Sequence, residues 1–255
     1  MNVFITGASS GIGEALARHY AAQGASLGLV ARRGGLLQQL AASLDTPVTT
    51  YTADVRDADA LASAAADFMQ RYGVPDIVIA NAGVSRGTLT ELKEDTAAFK
   101  AILDINVLGL LHTFQPFIDG MRQRGSGSLV GIASIAGIRG LPGAGAYSAS
   151  KAAAISYLES LRVEMRPLGI DVTTIAPGYI RTPMTDVNAY AMPFLMDADV
   201  AAAKMARAIA ARRRFFVVPW QMGWLARFMR FIPPFLWDWA MKNAPKKAHL
   251  DWDWL

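Results

Sequence analysis

The 255-residue chain has no cysteine, which excludes a disulfide framework, a thiolate metal site and a cysteine nucleophile together. Its three histidines, His19, His112 and His249, are scattered, so no histidine metal centre is expected either. Long apolar runs are missing too. The most hydrophobic stretch, from Trp220 to Met241, is interrupted by Arg227, Arg230 and Asp238, which argues against a spanning helix. No basic segment precedes an apolar one at the start: Met1-Asn2-Val3-Phe4-Ile5-Thr6 opens directly as a strand, so no secretory signal is expected and the predicted location is the cytoplasm. Charge is scarce and uneven. The net charge is +4, and residues 212–255 hold eight Lys/Arg against three Asp, a net of +5 that leaves −1 on the other 211 residues. A body so near neutral lacks the basic face of a nucleic-acid binder.

What is present is apolar material, 53% of the chain, enough for one sizeable core. Short β-like runs alternate with helix-like segments. The strand-like runs are Asn2–Thr6, Ser26–Ala31, Val48–Tyr51, Ile77–Ala80, Ser128–Ala133, Asp171–Ile175 and Phe215–Val218. Between them the pattern predicts helices over about 12–23, up to 44, up to 72, 97–121, from 147 onward and 200–211. This alternation predicts an α/β, Rossmann-type doubly wound fold, a seven-stranded parallel sheet with helices on both faces and a ligand crevice at the carboxyl ends of the strands. One catalytic domain is expected over residues 1–218, followed by a Trp-rich basic extension over 219–255, since all six tryptophans fall after Phe215.

The first strand runs into Thr6-Gly7-Ala8-Ser9-Ser10-Gly11-Ile12-Gly13, and a helix opens there. Glycines let backbone approach a phosphate closely, and the helix N-terminus offers free N–H groups to the anion. A tight strand-to-helix connection is the plainer alternative. The second strand ends Ala31-Arg32-Arg33, where an NAD-binding Rossmann protein usually carries an acid for the ribose 2′-hydroxyl. Ala31 cannot accept that bond, whereas Arg32, with Arg33 as second candidate, offers a guanidinium fork suited to the 2′-phosphate of NADP(H). NAD(H) is the less favoured cofactor on this pattern, and two solvated loop arginines are the alternative.

These motifs, together with Asp54-Val55, Asn81-Ala82-Gly83, Asn106, Ser134, Tyr147-x-x-x-Lys151 and Pro177-Gly178, resemble the classical short-chain dehydrogenases/reductases in order and spacing over roughly residues 1–218. The resemblance implies that Asp54 and Val55 flank the adenine, that Asn81, Ala82 and Gly83 line the cofactor cleft, and that Ile180 and Thr182 meet the nicotinamide carboxamide. It further implies that Lys151 bonds the nicotinamide ribose, that Asn106 holds a water relaying protons toward Lys151, and that the chain forms a homodimer or homotetramer.

The residues carry the chemistry independently of that likeness. Tyr147 and Lys151, four apart on a helix, share a face, and the ammonium together with the cofactor's own charge is expected to draw the phenol from its ordinary pKa of about 10 toward working pH. Tyr147 is then the general acid for carbonyl reduction and the base for alcohol oxidation, while Ser134 holds the carbonyl oxygen by a hydrogen bond. Each of these residues has an ordinary structural role when taken alone; together they favour catalysis.

The segment from Arg181 to Asp199 lacks periodicity, and the resemblance implies a substrate lid there. Its methionines and aromatics, with Ile135, Ile138, Leu141 and Pro142, suggest an apolar pocket, and Arg139 and Arg181 are near enough to leave a carboxylate anchor open. In the tail, Trp220, Trp224, Trp237, Trp239, Trp252 and Trp254 interleave with Arg227, Arg230, Lys242, Lys246 and Lys247 around Pro233-Pro234. Packing on the body or a partner subunit, contribution to the substrate entrance, and peripheral membrane attachment are the three readings. The expected activity is NADPH-dependent reduction of an apolar ketone or aldehyde, or oxidation of a secondary alcohol. The alternative is an NADP(H)-binding sensor or interaction protein without turnover.

Overall fold

The computed structural model describes residues 1–188 and 190–244. Its first half contains β1 (Asn2–Thr6), α1 (Gly11–Ala21), β2 (Ser26–Ala31), α2 (Gly34–Ala42), β3 (Val48–Thr52), α3 (Ala58–Tyr72), β4 (Ile77–Ala80), α4 (Asp95–Leu103) and α5 (Gly109–Arg124). There follow β5 (Gly127–Ile132), α6 (Gly145–Met165), β6 (Ile170–Pro177), β7 (Ile180–Arg181), α7 (Pro183–Asp186), β8 (Met196–Asp197), α8 (Ala198–Ala210), β9 (Phe215–Val218), α9 (Trp220–Phe231) and α10 (Pro234–Met241). Seven strands pair in parallel in the order β3-β2-β1-β4-β5-β6-β9. The strand order reverses between β1 and β4, which opens the crevice expected at the carboxyl ends of these two strands.

β1 shows why the inner strands of the sheet are apolar along most of their length. Val3 and Ile5 enter one core with Leu16, Leu37 and Met205 of α1, α2 and α8, while Phe4 enters the other with Phe68, Phe114 and Leu158 of α3, α5 and α6. With period-two alternation and a helical layer on each side, no position faces water. Phe4 meets Phe68 at 5.4 Å and Phe117 at 4.8 Å between ring centroids, and burying such a side chain contributes about 1.5–3 kcal/mol.

Two elements add to the sequence reading. The single helix expected over 97–121 is α4 and α5 joined by a π-helical stretch, Asp104–Leu108. A π turn inserts an extra residue, and here it brings the Asn106 side chain inward to bond Val84 and Ser150. The combined run Asp95–Arg124 is long and apolar enough by length and composition to cross a membrane, but half of its most apolar window is buried against the domain. The segment after Arg181 is not without structure: β7 pairs with β8, tying its two ends together, and Thr182 caps α7 in a reciprocal bond with Thr185.

The tail forms α9 and α10, broken at Pro233-Pro234. α9 buries Met222 and Ala226, and Met222 sits so close to Gly178 that a Cβ there would lie 2.8 Å from its Cγ. Arg139 Nη1 donates to the carbonyls of Met229 at 2.9 Å and Ile232 at 2.7 Å, at the helix end where backbone acceptors outnumber intrahelical donors. Its guanidinium also lies 4.7 Å from the centre of the Trp237 ring. Trp252, Trp254, Lys246, Lys247 and His249 lie outside the described residues. Arg139→Ala is expected to lower stability by about 1.5–3 kcal/mol, the range for hydrogen bonds from a charged donor. Thermal unfolding, with tryptic cleavage at Arg227 and Arg230, reads the loosening.

Candidate active site

At the switch point, the ends of β1 and β4 are clasped together. Asn81 Nδ2 donates to the carbonyls of Thr6 at 3.0 Å and Gly7 at 3.1 Å, and the Thr6 hydroxyl accepts from the Asn81 and Ala82 amides. The turn that follows depends on glycine at two positions. Gly7 has φ +68° and a Cβ there would fall 2.7 Å from Ala82 Cα, while a Cβ on Gly13 would collide with the Gly7 carbonyl. The loop therefore keeps its backbone bare beside a cavity of about 530 Å³ that runs from Arg32 to Ser134 and on to the lid. An extended dinucleotide with phosphates at the α1 N-terminus suits this cradle.

Gly7, Ser9, Ser10, Gly11, Ile12, Arg32, Arg33, Asp54, Val55, Asn81, Ala82, Gly83, Ser134, Tyr147, Lys151, Pro177, Gly178, Ile180 and Thr182 all line this one cavity. Thr6, Gly13 and Asn106 do not. Thr6 is fully buried under the clasp, Gly13 lies beneath the loop, and Asn106 is buried with its amide held by Val84 and Ser150. All three lie behind the wall, and the Asn106 side chain is engaged by Val84 and Ser150.

At the adenosine end, Arg33 donates to the hydroxyls of Ser9 at 3.0 Å and Ser10 at 2.6 Å. Arg32 lies 3.8 Å from Asp54. Burial works against the Asp54 carboxylate, but hydrogen bonds from the Arg56 side chain and amide, with the charges of Arg56 and Arg32, leave its pKa below the ordinary value. The sequence reading missed Arg56, although it lies only two residues from Asp54 and reaches this carboxylate within the same turn. It also missed buried Asp95, which accepts from the Leu89 amide at 2.7 Å and pairs with Arg86 at 3.4 Å, fixing the loop before α4.

At the other end, Ser134 follows β5 and accepts from the Ala136 amide at 3.1 Å, which orients its hydroxyl. Tyr147 and Lys151 occupy one face of α6, as their spacing requires. The Tyr147 hydroxyl is hydrogen-bonded to Ser134, and Lys151 Nζ lies 5.8 Å from the Tyr147 ring centre and donates to the Ile132 carbonyl at 2.8 Å. In the chain without its cofactor, burial sets the direction of both pKa shifts. Burial pushes the Tyr147 phenol up, the Ser134 hydrogen bond opposing it, and burial lowers Lys151 to about 8. Both groups are taken out of water together, and desolvation disfavours the charged form of each.

The apolar wall beyond Ser134 is made by Ile135, Leu141, Pro142, Tyr179, Met184, Tyr190 and Met241. Ile138 was expected in this wall but lines a shallow depression on the outer side with Trp237, and Phe194 faces solvent. Neither arginine left open as a carboxylate anchor reaches the cavity: Arg139 is held by α9 and Trp237, and Arg181 pairs with Asp197 at 2.8 Å. Both are drawn away by partners distant in sequence.

A family model described as short chain dehydrogenase matches residues 1–191. The chain is 37% identical over 242 residues to an uncharacterized oxidoreductase of Myxococcus xanthus, covering 94% of this chain and 95% of that one. Among solved structures, an alcohol dehydrogenase from the archaeon Thermococcus sibiricus, complexed with 5-hydroxy-NADP, is similar at a TM-score of 0.75 and 27% identity, covering 85% of this chain and 94% of the other. A 3-ketoacyl-(acyl-carrier-protein) reductase from Brucella melitensis, complexed with NADH, shares the fold at a TM-score of 0.79 and 24% identity, covering 85% and 96%. Because the family match takes in every strand of the sheet except β9 and the whole Ser134, Tyr147 and Lys151 group, the chain belongs to the short-chain dehydrogenase family, oxidoreductases that bind a nicotinamide cofactor.

Proposed function

We propose that the protein is an NADPH-dependent carbonyl reductase acting on an apolar ketone or aldehyde, and in the reverse direction an alcohol dehydrogenase acting on a secondary alcohol. The observation that carries this reading is the Ser134–Tyr147 hydroxyl pair, which faces an apolar wall with Lys151 beside it. The nicotinamide supplies the hydride when bound. The chain's residues supply position and the proton. The paired Ser134 and Tyr147 hydroxyls would hold a carbonyl oxygen placed beside them, fixing its orientation and stabilising charge building on it. The raised pKa keeps Tyr147 protonated at neutral pH, the form that donates in reduction. Lys151, on the same helix face as Tyr147 and lining the cavity, would hold the ribose hydroxyls of the bound cofactor. Tyr179, Met184 and Tyr190 cover the pocket and exclude water, and no charged side chain of the lid enters the cavity among the described residues.

The preference for NADPH rests on Arg32 and Arg33 beside Ser9 and Ser10, with Ala31 where an acid would bond a 2′-hydroxyl. Replacing Arg32 and Arg33 together by Ala should weaken NADPH binding ~10–100-fold, the loss expected for charge-assisted bonds, and leave NADH binding almost unchanged. Equal losses for both cofactors, measured by fluorescence titration, would remove the 2′-phosphate assignment. For the reaction, NADPH consumption across ketones, aldehydes, quinones, steroids and 3-oxoacyl thioesters is the direct test. Tight cofactor binding with no turnover on any of them would favour the sensor reading.

A further inference from the structure

α9 and α10 are tied to the body on one side and bare on the other. At about 100° per residue, Trp220, Phe231, Trp224 and Phe228 fall within an ~80° sector of α9, opposite the buried Met222 and Ala226. Each is between 64% and 82% exposed. α10 adds Phe235 and Trp239, one turn apart and 69% and 79% exposed, while Trp237 turns inward to Arg139. Single exposed apolar side chains are ordinary, but six large aromatic groups on two successive helices mark an interaction face.

We propose that this face docks on an anionic lipid bilayer. The charges around it decide the occupant. Arg227 borders the aromatic sector and lies 5.4 Å from the Trp224 ring, Arg230 stands farther round the same edge, and Lys242 follows α10. The single acid from Trp220 to Ala244 is Asp238. Arg212, Arg213 and Arg214, which make most of the basic excess of the C-terminal region, stand before β9, at the far end of that strand from α9, and are not part of the face. A second copy seated on it by twofold symmetry would bring arginines against arginines with little acid to meet them. Lipid headgroups supply the missing negative charge, indole and phenyl rings settle at headgroup depth, and the flanking guanidinium groups reach the phosphates. Met241 and Ala244, at the end of α10, line the cavity, so the docking face adjoins its mouth.

The test is sedimentation of the full chain with vesicles, carried out with NADPH present. Binding is expected to vesicles of phosphatidylcholine with phosphatidylglycerol, to weaken with salt, and to be much poorer with phosphatidylcholine alone. Arg227→Gln with Arg230→Gln should weaken it ~10–30-fold, at about one kilocalorie per cation. Trp224→Ser with Phe228→Ser and Phe231→Ser should abolish it while leaving the thermal midpoint and NADPH affinity in place, which separates loss of docking from loss of fold. A full chain that stays in the supernatant with both vesicle types overturns the proposal. If sedimentation velocity then shows a dimer that the triple variant dissociates, a second copy is the occupant instead. Neither readout uses turnover, so the outcome stands apart from the reaction proposed above.

Discussion

Tyr147→Phe is expected to lower turnover of the proposed carbonyl substrate by ~10²–10⁴-fold, the contribution of a positioned general acid. The substitution removes one oxygen and leaves the ring beside Lys151, so α6 and the cavity wall keep their shape and NADPH affinity should not change. Its hydroxyl is bonded to Ser134, so the two donors act as a unit and their losses will not add. Ser134→Ala alone should cost ~10²–10³-fold, as for other donors to a developing oxyanion, and the double variant little more than Tyr147→Phe. Single-turnover NADPH oxidation on the best carbonyl substrate reads all three. A Tyr147→Phe protein with most of its activity would end the assignment of the proton to this phenol.

Lys151→Met should do two opposite things, lowering turnover by roughly 10²-fold through the loss of the cation beside Tyr147 and raising stability at neutral pH. Lys151 is only 4% exposed, and burial lowers its pKa from the ordinary 10.5 to about 8. Between those values the unfolded chain holds a proton that the folded chain has released, so this group makes stability rise with pH from about 8 to 10.5. Below pH 8 the folded state bears the whole penalty of a buried ammonium, ~3 kcal/mol at about 1.4 kcal/mol per unit. Methionine has nearly the same length and no charge, but it leaves the Ile132 carbonyl without its Lys151 donor, a loss of about 1 kcal/mol. The net expectation is a variant ~1–2 kcal/mol more stable at pH 7, with the advantage closing toward pH 10.5. Chemical denaturation at several pH values checks it, and a variant less stable than the parent at pH 7 would show that the ammonium is not penalised there. Such a gain on losing a functional group is what a site held against stability predicts.

Much of this was legible in the chain because its signals are local. The strand patterns from Asn2 to Val218, the glycine turn after β1, the four-residue spacing of Tyr147 and Lys151 and the arginines after β2 all lie within a few residues of one another. The resemblance then supplied the roles of groups far apart. What stayed hidden depends on partners distant in sequence. The clasp of Thr6 by Asn81 joins residues 75 apart, and the bond of Asn106 to Ser150 spans 44. Arg139 looked available to a substrate because nothing near it in the chain shows that the carbonyls of Met229 and Ile232 claim it.

The sequence by itself determined the layered sheet, the place of the glycine turn and the candidate reacting groups, since periodicity, glycine placement and side-chain chemistry are properties of short segments. Only the tertiary structure decided which groups face the cavity, which lie beneath it, and in which direction their pKa values move. Burial does this: the same desolvation raises Tyr147, lowers Lys151 and turns the inner side of α9 toward Gly178, and no local pattern carries the amount of water a folded chain removes.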